Sequence, residues 1–293
     1  MAESRKSVLR QIRSVRSTRQ ITQAMRMVAA AKLHRTQAVA LKSRPYAEAL
    51  TRMLAQLVDR GVGRRHPLLR PRERINTVGY VVFTSDRGLA GAYNNSVVRC
   101  AERAIAGRPE PVAIIAVGAK GRNYFAGRGL TPLRTFVGLH DEARPDEASE
   151  IADAIMELYL ARKIDEIRLI YMSFTNISHQ QPVDMRLLPL MAPGPRESGP
   201  DFIVVPDAEA ILEALAPRFV ATCVHQALRE AKAAEHSARM LAMEEASKNA
   251  DDMIDDLTLA YNRARQAVIT REVAEMVSSS GGRTLMDANT RGR

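Results

Sequence analysis

The sequence predicts an α/β domain inserted between two long helices that pair as an antiparallel coiled coil. Three observations point there. Residues 3–58 and 208–277 carry almost no Gly, so each reads as one helix, far longer than the usual average of about 11–12 residues. Between them, apolar runs of strand length alternate with helical stretches, the mark of a mostly parallel sheet with helices on its faces. Trp is absent and only 4% of residues are aromatic, which suits an Ala-rich coiled coil. At about 1.5 Å per residue the C-terminal helix would span on the order of 100 Å, more than a compact domain needs. The expected organisation is a helix over 1–60, a connection over 61–74, a Rossmann-like three-layer domain over 75–206, a second helix over 207–280 and a flexible tail over 281–293.

The N-terminal helix carries a narrow apolar stripe, Val8, Ile12 and Val15, then Ile21, Met25 and Val28, with Ala24 and Ala31 alongside. A narrow stripe fits one partner helix. Arg10, Arg13, Arg16 and Arg19 recur every third residue, and such a row winds around a helix of 3.6-residue period instead of forming one face. Ala29, Ala30 and Ala31 allow another backbone close. Pro45 predicts a kink or a restart near 43–46. Gly61 and Gly63, with Pro67 and Pro71, mark the connection.

In the central domain, Thr77–Phe83, Val112–Val117 and Ile167–Ser173 read as strands, with helices at 94–106 and 147–163 between them and right-handed crossovers. Asp201–Val205 reads as a short edge strand. Two Gly-rich turns follow strands, TSDRGLAGAYN at 84–94 and GAKGRNYF at 118–125. Neither is GxGxxG or GxxxxGK[ST], and no acid ends the second strand to hold a ribose, so a nucleotide site is not expected. Asp86 and Arg87 are read either as a local pair or as docking groups. No nucleophile with a base is found, and no catalytic residue is assigned.

Asp207 is the expected N-cap of the last helix, without the Glu of a full capping box. Pro217 predicts a break near 216. Met253, Ala260, Ala267 and Ala274 fall at heptad spacing, with Leu257 and Ala264 at the alternate positions and Arg271 interrupting. Upstream, Ala227, Ala231, Ala234 and Ala238 continue a 4-3 spacing, so an Ala-rich seam is expected along the whole helix.

Charge is distributed unevenly. Residues 1–44 hold eleven Lys/Arg and one Glu, which equals the net +10 of the chain, so the remaining 249 residues sum to zero. Residues 235–256 are acidic. Such a one-sided field suits an acidic partner or a polyanion. No apolar run reaches the ~18 residues of a spanning helix, and the first residues lack the apolar core of a signal peptide, so membrane contact is expected only through partners. Cys100 and Cys223 are isolated and the six His are scattered, which reads as reduced cytosolic thiols with no metal site and no cofactor.

Read together, IRSV (12–15) with Thr18, QITQAMRMVAAAKL (20–33), SRPYAE (43–48), TSDRGLAGAYN (84–94), LLPL (187–190) and the block 238–278 with its NRARQAVIT core resemble the gamma subunit of F-type rotary ATP synthases. The resemblance runs over 4–280, and the order of the motifs makes it specific. It implies a non-catalytic central shaft that couples proton-driven rotation of the c-subunit ring to the catalytic beta subunits, inside a hexamer of three alpha and three beta subunits. The α/β lobe would be the foot, meeting the epsilon subunit and the c ring. By matching motif positions, Arg10, Arg13, Met25, Arg239, Gln266 and Thr270 would contact the catalytic ring and carry torque. Asp86, Arg87, Asp201, Asp207 and Glu209 would be foot contacts. Ala90 stands where the family often has Cys, and no cysteine pair suggests plastid-type thiol regulation. The lack of a targeting segment implies the cytoplasmic face of a bacterial plasma membrane. A purely structural coiled coil with no rotary role fits the helices equally well, and only the ordered motifs exclude it; two further rivals are weaker. A nucleic-acid-binding coiled coil lacks aromatic stacking groups and a basic platform on the lobe, and an α/β enzyme with helical arms lacks an active site.

Overall fold

The computed structural model describes residues 2–63, 66–190 and 207–290, with side chains described at 6–38, 45–63, 66–190, 207–274 and 276. Its elements are, in order, α1 (Ala2–Asp59), β1 (Val78–Phe83), α2 (Tyr93–Ala106), β2 (Val112–Val117), α3 (Ala119–Ala126), β3 (Arg134–Phe136), α4 (Pro145–Leu160), β4 (Glu166–Asn176), β5 (His179–Leu188) and α5 (Ala208–Thr290). Contacts divide the chain into two compact units, a lobe of Met27–Ala242 and a helix pair of Met1–Arg26 with Met243–Arg293.

The lobe is a three-layer α/β structure. Its five strands lie in the order β3-β2-β1-β4-β5. β1 pairs in parallel with β2 and β4, β2 with β3 likewise, and β5 runs antiparallel to β4. Alternation along β1 divides the core. Val81 and Phe83 face a cluster with Ile151 and Ile155 of α4, Leu54 of α1, and Leu212, Val220 and Val224 of α5. Val78, Tyr80 and Val82 face Tyr93, Val97 and Ala101 of α2 and Phe125 of α3. β1 is buried on both faces, which is why its sequence is a continuous apolar run. The strands expected from the apolar runs are present. β3, β5 and α3 were not expected. β3 is three residues long, β5 alternates polar residues and carries Pro182, and α3 lies in a segment read as a Gly-rich turn. The expected strand at 201–205 lies outside the described residues.

The expected restart at Pro45 and break near 216 are absent. α1 is continuous with Pro45 inside it, and α5 is continuous with Pro217 inside it. Burial on the flanks, at Leu50 and Leu54 and at Leu215, Ala216 and Val220, offsets the lost backbone bond. α5 also runs past 280 to Thr290, through a segment with no proline to stop it. Asp207 does cap α5, accepting from the Glu209 N–H at 3.4 Å.

The helix pair is antiparallel, because Thr22 hydrogen-bonds Ser247 at 2.7 Å while Arg19, earlier in α1, meets Asp251, later in α5, at 2.6 Å. Its seam differs from the expected one by a single residue. The shielded positions of α5 include Met243, Ser247, Ala250, Ile254, Leu257, Tyr261, Ala264 and Val268, whereas Met253, Ala260 and Ala267 are exposed. Leu257 and Ala264 belong to both frames, and the larger Ile, Tyr and Val side chains take the seam. On α1 the shielded set Val8, Ile12, Val15, Arg19 and Thr22 keeps the 4-3 spacing, and Ile21 and Val28 fall off it, 58% and 53% exposed. The upstream alanines do not extend this seam. Ala227, Ala231 and Ala234 are buried in the two clusters of the lobe.

Candidate functional site

The crevice beyond the carboxyl ends of parallel strands is where open α/β sheets usually bind ligands. Here the chain fills it. Thr84, at the end of β1, donates through Oγ1 to the Val117 carbonyl at 3.0 Å and accepts from the Gly121 N–H at 2.8 Å. Gly118 opens α3 at φ +96°, and a Cβ there would lie 2.2 Å from the Thr84 carbonyl oxygen. Ser85 N–H donates to Asn94 Oδ1 at 3.0 Å. Asp86 accepts from the Ala119 N–H at 2.8 Å and, with its other oxygen, from the Gly138 N–H at 2.9 Å. The remaining cavity, lined by Thr84, Asp86, Tyr93, Lys232 and Glu235 among others, is about 10 Å³, water-sized and far below the roughly 300 Å³ of a small-molecule site.

Loop 84–91 is also held to α5. Arg239 donates to Glu235 at 2.8 Å and to the Gly88 carbonyl at 3.4 Å. At Gly91, φ +53°, a Cβ would be 3.8 Å from that of Ala242, so the loop passes close to the helix. Tyr93, fully enclosed here, has its hydroxyl pushed well above the ordinary range by burial and then by Glu235. Leu89 stands at the tip of this loop at φ +61° and is 64% exposed.

The residues singled out from sequence fall into three groups. Arg10, Arg13, Gln266 and Thr270 are exposed on the helix pair, and Met25 is half-buried. Arg239 is turned inward, its side chain 13% exposed. Its contacts are with the lobe's own loop. Asp86 and Arg87 are neighbours but not a pair, since both Asp86 oxygens accept from backbone N–H groups and Arg87 is exposed. Asp207 and Glu209 are exposed at the start of α5, and Asp201 lies outside the described residues. Sequence reasoning missed the buried polar stripe of α5, with Arg229, Lys232, Glu235 and His236 all buried. The signal was available in principle, as charged residues at helical spacing among the alanines 227–234. Burial pushes the Cys223 thiol up to about 12 and also raises that of Cys100. Among the described residues no His/Cys/Asp/Glu cluster could hold a metal, and no helix is long and apolar enough to cross a membrane.

A family model described as ATP synthase matches residues 4–281. The ATP synthase gamma chain of Symbiobacterium thermophilum is 46% identical over 284 residues, covering 96% of this chain and 98% of that relative. That of Desulforamulus reducens is 43% identical, covering 94% and 98%. Among solved structures, a chain of the Euglena gracilis mitochondrial ATP synthase (OSCP/F1/c-ring) superposes with a TM-score of 0.70 at 20% identity, covering 99% of this chain and 97% of that one. A chain of the Tetrahymena thermophila central stalk and c-ring gives 0.62 at 24% identity, covering 78% and 99%. At these identities the structural likeness speaks for the fold.

Proposed function

This chain belongs to the family of ATP synthase gamma chains, and we propose on that premise that it is the central rotor shaft of a proton-translocating ATP synthase. It performs no bond chemistry. It turns inside a hexamer of three alpha and three beta subunits and carries rotation from the c ring to the catalytic sites in beta. The observation that carries this reading is the helix pair, which covers apolar side chains along its seam but leaves others bare on its outer face. Leu259 is 56% exposed, Ile269 45%, Val273 48% and Met276 62%. A helix pair with a second set of large apolar side chains outside its seam fits a surrounding sleeve, and the family supplies one. Arg10, Arg13, Met25, Gln266 and Thr270 would bear on that sleeve. The lobe, with Arg87 and the exposed start of α5 at Asp207 and Glu209, would meet the epsilon subunit and the c ring at the cytoplasmic face of a bacterial plasma membrane. Arg239 and Asp86 contribute indirectly, by holding loop 84–91 in shape.

Co-purification of the tagged chain from its native membranes tests this. Alpha and beta subunits in threefold excess, with ATPase activity, are the expected result. Recovery of the chain alone under gentle extraction would overturn the assignment. Truncation within 260–280 is expected to abolish coupled synthesis while the lobe stays folded. Full synthesis without that segment would remove the sleeve argument.

A further inference from the structure

Segment 137–144 joins β3 to α4 as a strap, and polar side chains of both long helices converge on it. From α5, His225 donates through Nε2 to the Ala143 carbonyl at 2.8 Å, Lys232 donates to the Leu139 carbonyl at 3.4 Å, and His236 donates to the Asp141 carbonyl at 3.4 Å. These carbonyls alternate along the strap, and the three donors lie on one stripe of the helix. From α1, Lys32 reaches the Asp141 carboxylate at 2.7 Å and Arg35 faces Glu142 at 3.9 Å. The strap is tied to the lobe by the Gly138 N–H on Asp86 and by the His140 N–H on Glu147 at 2.7 Å. It turns at Gly138 and at Ala143, which holds φ +51° while almost wholly buried. Packing keeps Ala143 in a conformation that side chains rarely adopt.

Apolar packing is non-directional. It holds a helix against a sheet without singling out one angle about the helix axis as sharply as a directed bond does. Bonds from fixed donors to fixed carbonyls define that angle. Lys232 and His236 are buried, so a strap that shifts without opening to water leaves their hydrogen bonds to it unmade, a costly state. Asp141 is the point where the two grips meet, with Lys32 of α1 on its carboxylate and His236 of α5 on its carbonyl and, at 3.8 Å, near the same carboxylate. We propose that Asp141 and its strap are the clamp that fixes the lobe's own stretches of both long helices to the sheet, with Asp141 a positioning residue for coupling. The proposal rests on the rotor reading.

The test uses the whole ATP synthase in sealed vesicles, with proton pumping measured against ATP hydrolysis. Wild-type complex must pump; if hydrolysis drives no pumping in wild type, the rotor reading itself fails. Given a pumping wild type, Asp141→Ala and Lys32→Ala are each expected to assemble and hydrolyse ATP while pumping less per ATP. Asp141→Glu, which keeps the charge, restores the ratio, and the double variant is no worse than Asp141→Ala alone. Hydrogen exchange of the 139–143 amides rises about fivefold in the single variants, as for loss of a half-exposed ion pair at a locally opening segment. A merely structural role would lower assembly and hydrolysis together and leave the ratio unchanged. If Asp141→Ala does not assemble, Lys32→Ala decides, because Lys32 is only half-buried. An unchanged pumping ratio in the assembled variant overturns the proposal.

Discussion

The lobe and the helix pair share the same two long helices and are stabilised in opposite ways. In the lobe, α1 and α5 give Leu54, Leu212 and Val224 to a core whose central residues are fully covered. In the pair, the buried described residues are Ile12, Thr22, Met243 and Ala250, one of them a hydroxyl bonded across the seam. One helix can thus be a core element along part of its length and a bare surface along the rest. The side chains at each stretch set the difference, because backbone propensity is similar throughout.

Substitutions should separate the two regions, and the largest effect belongs to Gly118→Val. Its Cβ would collide with the Thr84 carbonyl, and we expect a loss of about 4 kcal/mol from overpacking and backbone strain. Near-UV circular dichroism would read it as a fall in melting temperature of about 10 °C, since Tyr261 is the sole tyrosine outside the lobe. Leu54→Ala should cost about 3 kcal/mol through the cavity it leaves, measured by denaturant titration. Ile269→Ser, on the pair, should stay within about 0.5 kcal/mol in the isolated chain. Equal destabilisation by Ile269→Ser and Leu54→Ala would mean that the pair has a core of its own, and the contrast would collapse.

Acid should act on the lobe first. His66, His225 and His236 are all held below their ordinary 6.5 by burial. The unfolded chain therefore binds protons that the folded lobe refuses, so the histidine contribution to stability is full above pH 6.5 and is lost as pH falls below it. His236, surrounded by Lys232, Glu235 and Asp141, should dominate, and His236→Gln should flatten the pH dependence of the lobe's melting temperature. A slope unchanged by that variant would shift the effect to His66 and His225. The smallest effect is expected from Asp251→Asn. Its partner Arg19 and Asp251 are 43% and 48% exposed, so screening leaves at most about 0.5 kcal/mol, and added salt should erase it.

Much of this architecture was legible in the chain. β1, β2 and β4 announce themselves as apolar runs because they are buried on two faces. β5 did not, because an edge strand with Pro182 and three polar residues at its start lacks that pattern. The seam of α5 was placed one residue away because Leu257 and Ala264 belong to two adjacent heptad frames, and alanines at 260 and 267 filled the wrong one as neatly as Ile254, Tyr261 and Val268 filled the right one. The direction of Arg239 and the convergence of Lys32, Asp141 and His236 were illegible for another reason. They bring together residues far apart in the chain, and no local periodicity encodes that meeting.

The division of the chain has a consequence for its synthesis on the ribosome. Everything in the lobe has been translated once Ala242 is made, whereas residues 1–26 must wait for residues 243–293. At about 5–20 residues per second that wait lasts roughly 10–50 s. A stretch made early is therefore late to find its mate, and throughout the interval residues 1–26 carry seven Lys/Arg against one Glu in the company of ribosomal RNA.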